Sequence, residues 1–98
     1  MPRKLEIQQE AEEEAREARI FYEDRDVRIA ADFMRELDRT IEVVVDRPDR
    51  WPAVRQNAHS FLLRRFPFRI VYTFDDEVVR IIAVAHLRRR PGYWSSRI

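Results

Sequence analysis

Apolar and polar residues change period several times along the 98 residues, and each change marks an element. Leu5 and Ile7 alternate with Lys4, Glu6 and Gln8, which predicts a short half-buried strand. From Glu10 the period lengthens. Ala11, Ala15, Ala18 and Tyr22 recur at i, i+4, i+7 and i+11 among Glu and Arg, the pattern of an amphipathic helix with a thin face of small residues. Asp26 follows a polar link and is placed to cap a second helix from about Val27 to Val45. Its buried stripe is Ala30, Phe33, Leu37, Ile41 and Val44, with Met34 and Val45 beside it. Two helices joined by so short a link predict an antiparallel hairpin covering one face of a sheet.

Pro48 and Pro52 end the helical region, and Arg47 to Asn57 shows no clear period, so it reads as a loop with Trp51 tucked against the core. Ala58 to Leu63 reads as a strand and Arg64 to Pro67 as a turn. Phe68 to Phe74 and Val78 to His86 are β-branched and aromatic runs of strand length, and Asp75, Asp76 and Glu77 between them supply turn residues. The fold class is therefore α+β: an N-terminal strand, an antiparallel helical hairpin and a three-stranded antiparallel meander, as a single domain over residues 1–98. A two-residue turn at Asp75 and Asp76 places Phe68, Ile70, Tyr72 and Phe74 on one face with Val79, Ile81, Ala83 and Ala85, beneath the helices. The opposite face then carries Arg69, Val71, Thr73, Val78, Arg80, Ile82, Val84 and His86. No remaining segment is expected to cover it, so it reads as a surface for a partner.

Composition removes several function classes. The chain has no cysteine, hence no disulfide or thiolate metal site, and its two histidines, His59 and His86, lie 27 positions apart with no ligand spacing. No metal or cofactor is expected. No apolar run approaches the ~18 residues of a membrane span, and no basic start precedes an apolar segment, so a soluble cytoplasmic protein is expected. The formal charge of +1 hides an asymmetry: −4 over residues 1–26, neutral over 27–63 and +5 over 64–98. The acidic run Glu12-Glu13-Glu14 reads as a solvated face that complements the helix dipole, without chemistry of its own. After His86 come Arg88, Arg89 and Arg90, then Pro91-Gly92, which ends the strand, and Tyr93, Trp94 and Arg97. Guanidinium groups beside flat rings suit a surface that grips phosphates and stacks on bases.

The element order, with Phe66-Pro67-Phe68, Ile70-Val71-Tyr72, the acidic turn, Ala83-Val84-Ala85-His86, Arg89, Pro91-Gly92-Tyr93-Trp94 and Arg97, resembles the RelE/ParE superfamily of small toxins from type II toxin-antitoxin systems, often called plasmid stabilisation proteins. The resemblance covers nearly the whole chain. It implies a toxin held silent by a cognate antitoxin in a hetero-oligomer, with one branch cutting messenger RNA on the ribosome and the other inhibiting DNA gyrase. In the RNA-cleaving branch Arg69 and Arg89 match arginines that hold the scissile phosphate, and Tyr93 is the nearest counterpart of a stacking or proton-transferring tyrosine. The lysines of some members are replaced here by Ser60 and Leu62 and arginine is a poor base, so His59 or His86 would have to transfer the proton, or the activity is absent; His86 completes the catalytic expectation. His59 is expected at the surface. Arg88, Arg90, Trp94 and Arg97 are the expected RNA contacts, and Arg69, Val71, Val78, Arg80, Ile82 and Val84 the expected antitoxin contacts. Ribosome-dependent cleavage is the leading expectation for function. A non-enzymatic gyrase inhibitor and a degenerate protein-binding module are the alternatives.

Overall fold

The computed structural model describes residues 2–98. Strand β1 (Lys4–Ile7) leads into helix α1 (Gln9–Glu23) and, after a short link, helix α2 (Val27–Asp46). A 3-10 turn at Pro48–Arg50 is followed by β2 (Ala53–Arg55), β3 (Ala58–Leu62), β4 (Phe68–Phe74) and β5 (Val78–His86). The five strands form one sheet in the order β1-β5-β4-β3-β2, with β1 parallel to β5 and the rest antiparallel. The expected helical hairpin and meander are present. The strand β2, three exposed residues hydrogen-bonded to the sheet edge, replaces part of the expected loop.

Each helix forms for a visible reason. The Asp26 carboxylate accepts from the Arg28 amide at 2.8 Å and caps α2, whose stripe of Ala30, Phe33, Leu37, Ile41 and Val44 is buried. Thr40 is buried with them, its hydroxyl donating to the Glu36 carbonyl one turn back at 2.8 Å. Helix α1 has no side-chain cap and lies closely on the sheet through Ala11 and Ala18. Tyr22, Phe33, Phe66 and Phe68 interlock where the helices meet the sheet, with centroid separations of 5.2–5.3 Å between Tyr22 and Phe66, Tyr22 and Phe33, and Phe33 and both Phe66 and Phe68. Trp51 packs on Phe61, and the buried Tyr72 hydroxyl donates to the Pro48 carbonyl at 2.6 Å. That bond fastens the linker to the sheet.

The pairing of β4 with β5 differs from the expected register. Phe74 pairs with Val79 and Tyr72 with Ile81, but Val71 pairs with Ala83, leaving Ile82 as an extra residue in β5. This β-bulge reverses the parity of every later residue. Val84 and His86 therefore turn toward the helices, while Ala83 and Ala85 turn away from them, the reverse of the expectation. Nor is the far face open. Trp94 is 5% exposed and packs with Ala58, Val71, Ile82, Ala83 and Ala85 as a second apolar cluster, so the C-terminal tail covers part of the sheet.

Phe33 lies where both helices and β4 meet. Replacing it with alanine is expected to cost about 3–5 kcal/mol, measured as a lowered urea midpoint, with the aromatic cluster rather than any polar contact carrying the loss.

Candidate functional site

The bulge falls where β1 ends, so β5 from Ile82 onward has no strand on that side. Two side chains take its place. Glu14 of α1 accepts from the Val84 amide at 3.1 Å, and Arg97 of the tail donates to the Ile82 carbonyl at 3.0 Å. The two also form a bidentate pair, at 2.9 Å to Glu14 Oε1 and 3.1 Å to Oε2, with side chains only 12% and 15% exposed. The Tyr93 hydroxyl donates to Glu14 Oε2 at 2.6 Å, and Gln8 Nε2 donates to the Arg97 carbonyl at 3.1 Å. Glu14 is thus a junction of α1, β5 and the tail, not the solvated acid expected. A signal for it existed, because position 14 falls at i+3 from Ala11 and i−4 from Ala18 on the buried stripe.

The tail reaches this junction through a turn. Pro91 and Gly92 occupy its centre, Gly92 has φ +73°, and the Tyr93 amide donates to the Arg90 carbonyl at 3.1 Å, the geometry of a type II turn. A Cβ on Gly92 would collide with the Arg55 guanidinium, which lies across it from the β2–β3 hairpin. Arg89 stacks on the Tyr93 ring at 3.9 Å and Arg97 lies 5.1 Å from the same ring.

Two grooves flank this turn. On the sheet face away from the helices, Arg55, Arg69, Arg89 and Arg90 line a groove of about 190 Å³ beside Gly92, Tyr93 and Trp94, and no acidic residue lines it. On the helix side, Ala18, Phe21, Tyr22, Phe68 and Val84 floor a wider groove of about 610 Å³, with Glu14 and Glu17 on one rim and Arg88 and Arg89 on the other. Phe21 and Leu87 are exposed there, 42% and 45% respectively.

The expected catalytic residues Arg69, His86, Arg89 and Tyr93 all border the far-face groove, but the side chains of Arg69 and His86 leave the sheet on opposite faces. His86 pairs with Phe68 and packs edge-on to its ring at 5.0 Å on the helix side, and its Nδ1 accepts from the Arg88 amide at 3.0 Å. Arg69, one position along from Phe68, faces the other way. Its cross-strand partner on β3 is Leu62, and Ser60 pairs with Val71, so no base stands beside it on that strand. Tyr93 is held by Glu14, and Arg89, His86, Leu87 and Tyr93 border both grooves. His59 is half-buried, with Nδ1 2.7 Å from the Trp51 carbonyl and its ring against Tyr72 and Phe74. It braces the sheet.

The expected contact surfaces also need correction. Val71, Ile82 and Val84 are buried, the first two beneath Trp94 and the third beneath α1, so they form no open apolar row. Val78 is half-buried beside Lys4, and Arg80 is paired with Glu6 of β1 at 3.0 Å. Trp94 and Arg97 serve the internal cluster and the Glu14 junction, which leaves Arg88 and Arg90 as the exposed members of the expected RNA contacts. Arg55, exposed on a strand without periodicity, had no signal in the sequence.

A family model described as ParE toxin of type II toxin-antitoxin system, parDE, matches residues 5–91. Among solved structures, the chain is similar to one described as "Chromosomal ParDE TA system from P. aeruginosa", with a TM-score of 0.78 and 11% identity over 88% of this chain and 97% of that one. At that identity the likeness speaks to the fold alone. No curated protein matches.

The tyrosines give the fold an alkaline limit. Burial, with a smaller contribution from the Asp49 carboxylate, raises the Tyr72 phenol to about 12, and burial with the bond to Glu14 pushes Tyr93 up against the opposing pull of Arg97 and Arg89. In the unfolded chain such phenols ionise near ~10, so above that pH the unfolded state binds fewer protons than the folded one. Stability is then complete below about pH 10 and falls as the pH rises toward 12. Urea midpoints at neutral and alkaline pH should show this fall, and a Tyr72→Phe, Tyr93→Phe double variant should show a smaller one.

Proposed function

The chain belongs to the ParE toxins of type II toxin-antitoxin systems, and from that premise we propose that it arrests growth by binding DNA gyrase, the usual target of this family, and not by cutting messenger RNA. One observation carries the choice. Cleavage at a ribose 2′-hydroxyl needs a base, a charge stabiliser and the reacting groups held in line. Here Arg69 and His86 project from opposite faces of the sheet, Leu62 is the cross-strand neighbour of Arg69, and the Tyr93 hydroxyl donates to Glu14. His86 also borders the arginine groove, but its ring packs edge-on to Phe68 and its Nδ1 accepts from the Arg88 amide, and arginine is a poor base, which favours binding over proton transfer.

The partner that silences the toxin is its cognate antitoxin. With the far sheet face partly covered by the tail, the helix-side groove becomes the better seat for an antitoxin segment. It offers an apolar floor, exposed Phe21 and Leu87, and arginines along one rim, which suits an amphipathic helix with acidic flanks.

Two outcomes follow. Purified toxin should block supercoiling by gyrase while messenger RNA from expressing cells keeps its normal 5′ ends; ribosome-dependent new ends that vanish in Arg69→Ala would reverse this reading. Leu87→Glu should weaken antitoxin binding by about 2 kcal/mol, roughly thirtyfold, so that co-expressed antitoxin no longer rescues growth. An unchanged affinity by titration calorimetry would move the antitoxin elsewhere.

A further inference from the structure

We propose that the groove on the sheet face away from the helices is a phosphodiester site that takes the backbone of duplex DNA, with Arg55 of β2 as one of its ligands. It deepens the gyrase reading, on which it rests only for which duplex is held. Four arginines from three separate segments line it: Arg55 from the β2–β3 hairpin, Arg69 from β4, and Arg89 and Arg90 from the turn after β5, the Arg89 guanidinium also lying 4.0 Å from Glu14. No acid lines the groove. Elsewhere the arginines that pack against the fold have acidic partners, as Arg80 has Glu6, Arg65 has Glu36 and Arg97 has Glu14. Arg69 is half-buried near the start of β4 and makes no salt bridge among the described residues. Folding gains nothing from leaving a partly desolvated cation there without a counter-charge, whereas an external anion would satisfy it.

Size and the surrounding rings narrow the anion. About 190 Å³ suits a phosphate group, while the peptide-sized space of about 610 Å³ lies on the other side of the sheet. Trp94 is buried, and Tyr93 is covered by Arg89 and tied to Glu14, so neither ring presents a free face for an unstacked base. Recognition without stacking or base edges reads the backbone alone, which favours a duplex over a single strand. Arg55 reaches the groove from a hairpin that turns through Gln56 at φ 52°, and its guanidinium lies across Gly92, whose missing Cβ leaves it the room.

The test is fluorescence anisotropy of the full toxin, freed from its antitoxin, with a short labelled DNA duplex of mixed sequence over a range of salt. Three to four phosphate contacts give log K against log salt a slope of roughly −2.7 to −3.6, and Arg55→Ala and Arg69→Ala should each make it shallower by about 0.9. Arg55→Lys should restore the lost slope, and Arg16→Ala on α1 should leave it unchanged. Thermal melts check folding; if Arg69→Ala melts early, Arg55→Ala, at an exposed position, still decides. No duplex binding at low salt, an unaltered slope in Arg55→Ala, or single-stranded RNA competing roughly tenfold better than duplex would each overturn the proposal. The two readings separate in a parallel supercoiling assay. Duplex binding with these slopes but uninhibited gyrase upholds the site and removes the gyrase target, whereas inhibited gyrase without duplex binding removes the site alone.

Discussion

The Glu14 carboxylate is the point on which the rest of the structure hangs. Strand β1 is four residues long and β5 is nine, so more than half of β5 lacks a strand on one side. An unpaired strand edge both carries unsatisfied backbone groups and invites pairing with another chain. Glu14 and Arg97 relieve both liabilities at the start of that edge with side chains: one accepts from the Val84 amide, the other donates to the Ile82 carbonyl, and each neutralises the other. A buried ion pair is weak evidence of stability in itself, because desolvation opposes the attraction. Here its worth lies in what it positions. With Arg97 anchored, the tail must return across the sheet, Trp94 is pressed onto Val71, Ile82, Ala83 and Ala85, and the second apolar cluster closes.

The bulge at Ile82 is the companion constraint. Without it, His86 and Arg69 would lie on one face, as an uninterrupted alternation of residues implies. The inserted residue sends Val84 and His86 under the helices and leaves Arg69 facing the tail. One extra residue thus divides a set of side chains that are close in sequence into two surfaces with different chemistry. The helix-side surface is apolar with mixed charge at its rims; the other is small, and its charged side chains are all arginines.

Long periodic segments were legible in the sequence because each is specified by many residues at once. The stripe of α2, the cap at Asp26 and the limits of β4 and β5 all follow from pattern and turn chemistry. Strand β2 was not legible: three residues, Ala53 to Arg55, are too few to show a period, and their strand character comes only from pairing with β3. The bulge has no signature either, since Val78 to His86 is apolar on nearly every position and either face would accept it. The shared face expected for Arg69 and His86 depended on it, because that part of the expectation followed from parity. Glu14 was hidden in an acidic run, although its helical position beside Ala11 and Ala18 marked it as facing inward.

Arg89 and Tyr93 border both grooves, and this shared wall couples surfaces that open on opposite sides of the sheet. Tyr93 is fixed by Glu14, which stands on the rim of the helix-side groove, and Arg89 is stacked on Tyr93 with its guanidinium 4.0 Å from the same carboxylate. A partner seated in the helix-side groove therefore touches the group that orients the cationic one. Charge transmits the effect as well as packing: an acid brought beside Arg89 competes with whatever anion the far groove holds. By linkage the converse is equally true, so an anion bound on the sheet side must change the affinity of the helix side by the same factor. A ligand of the helix-side groove can then act on the far groove without covering it, through two side chains and the carboxylate that holds one of them.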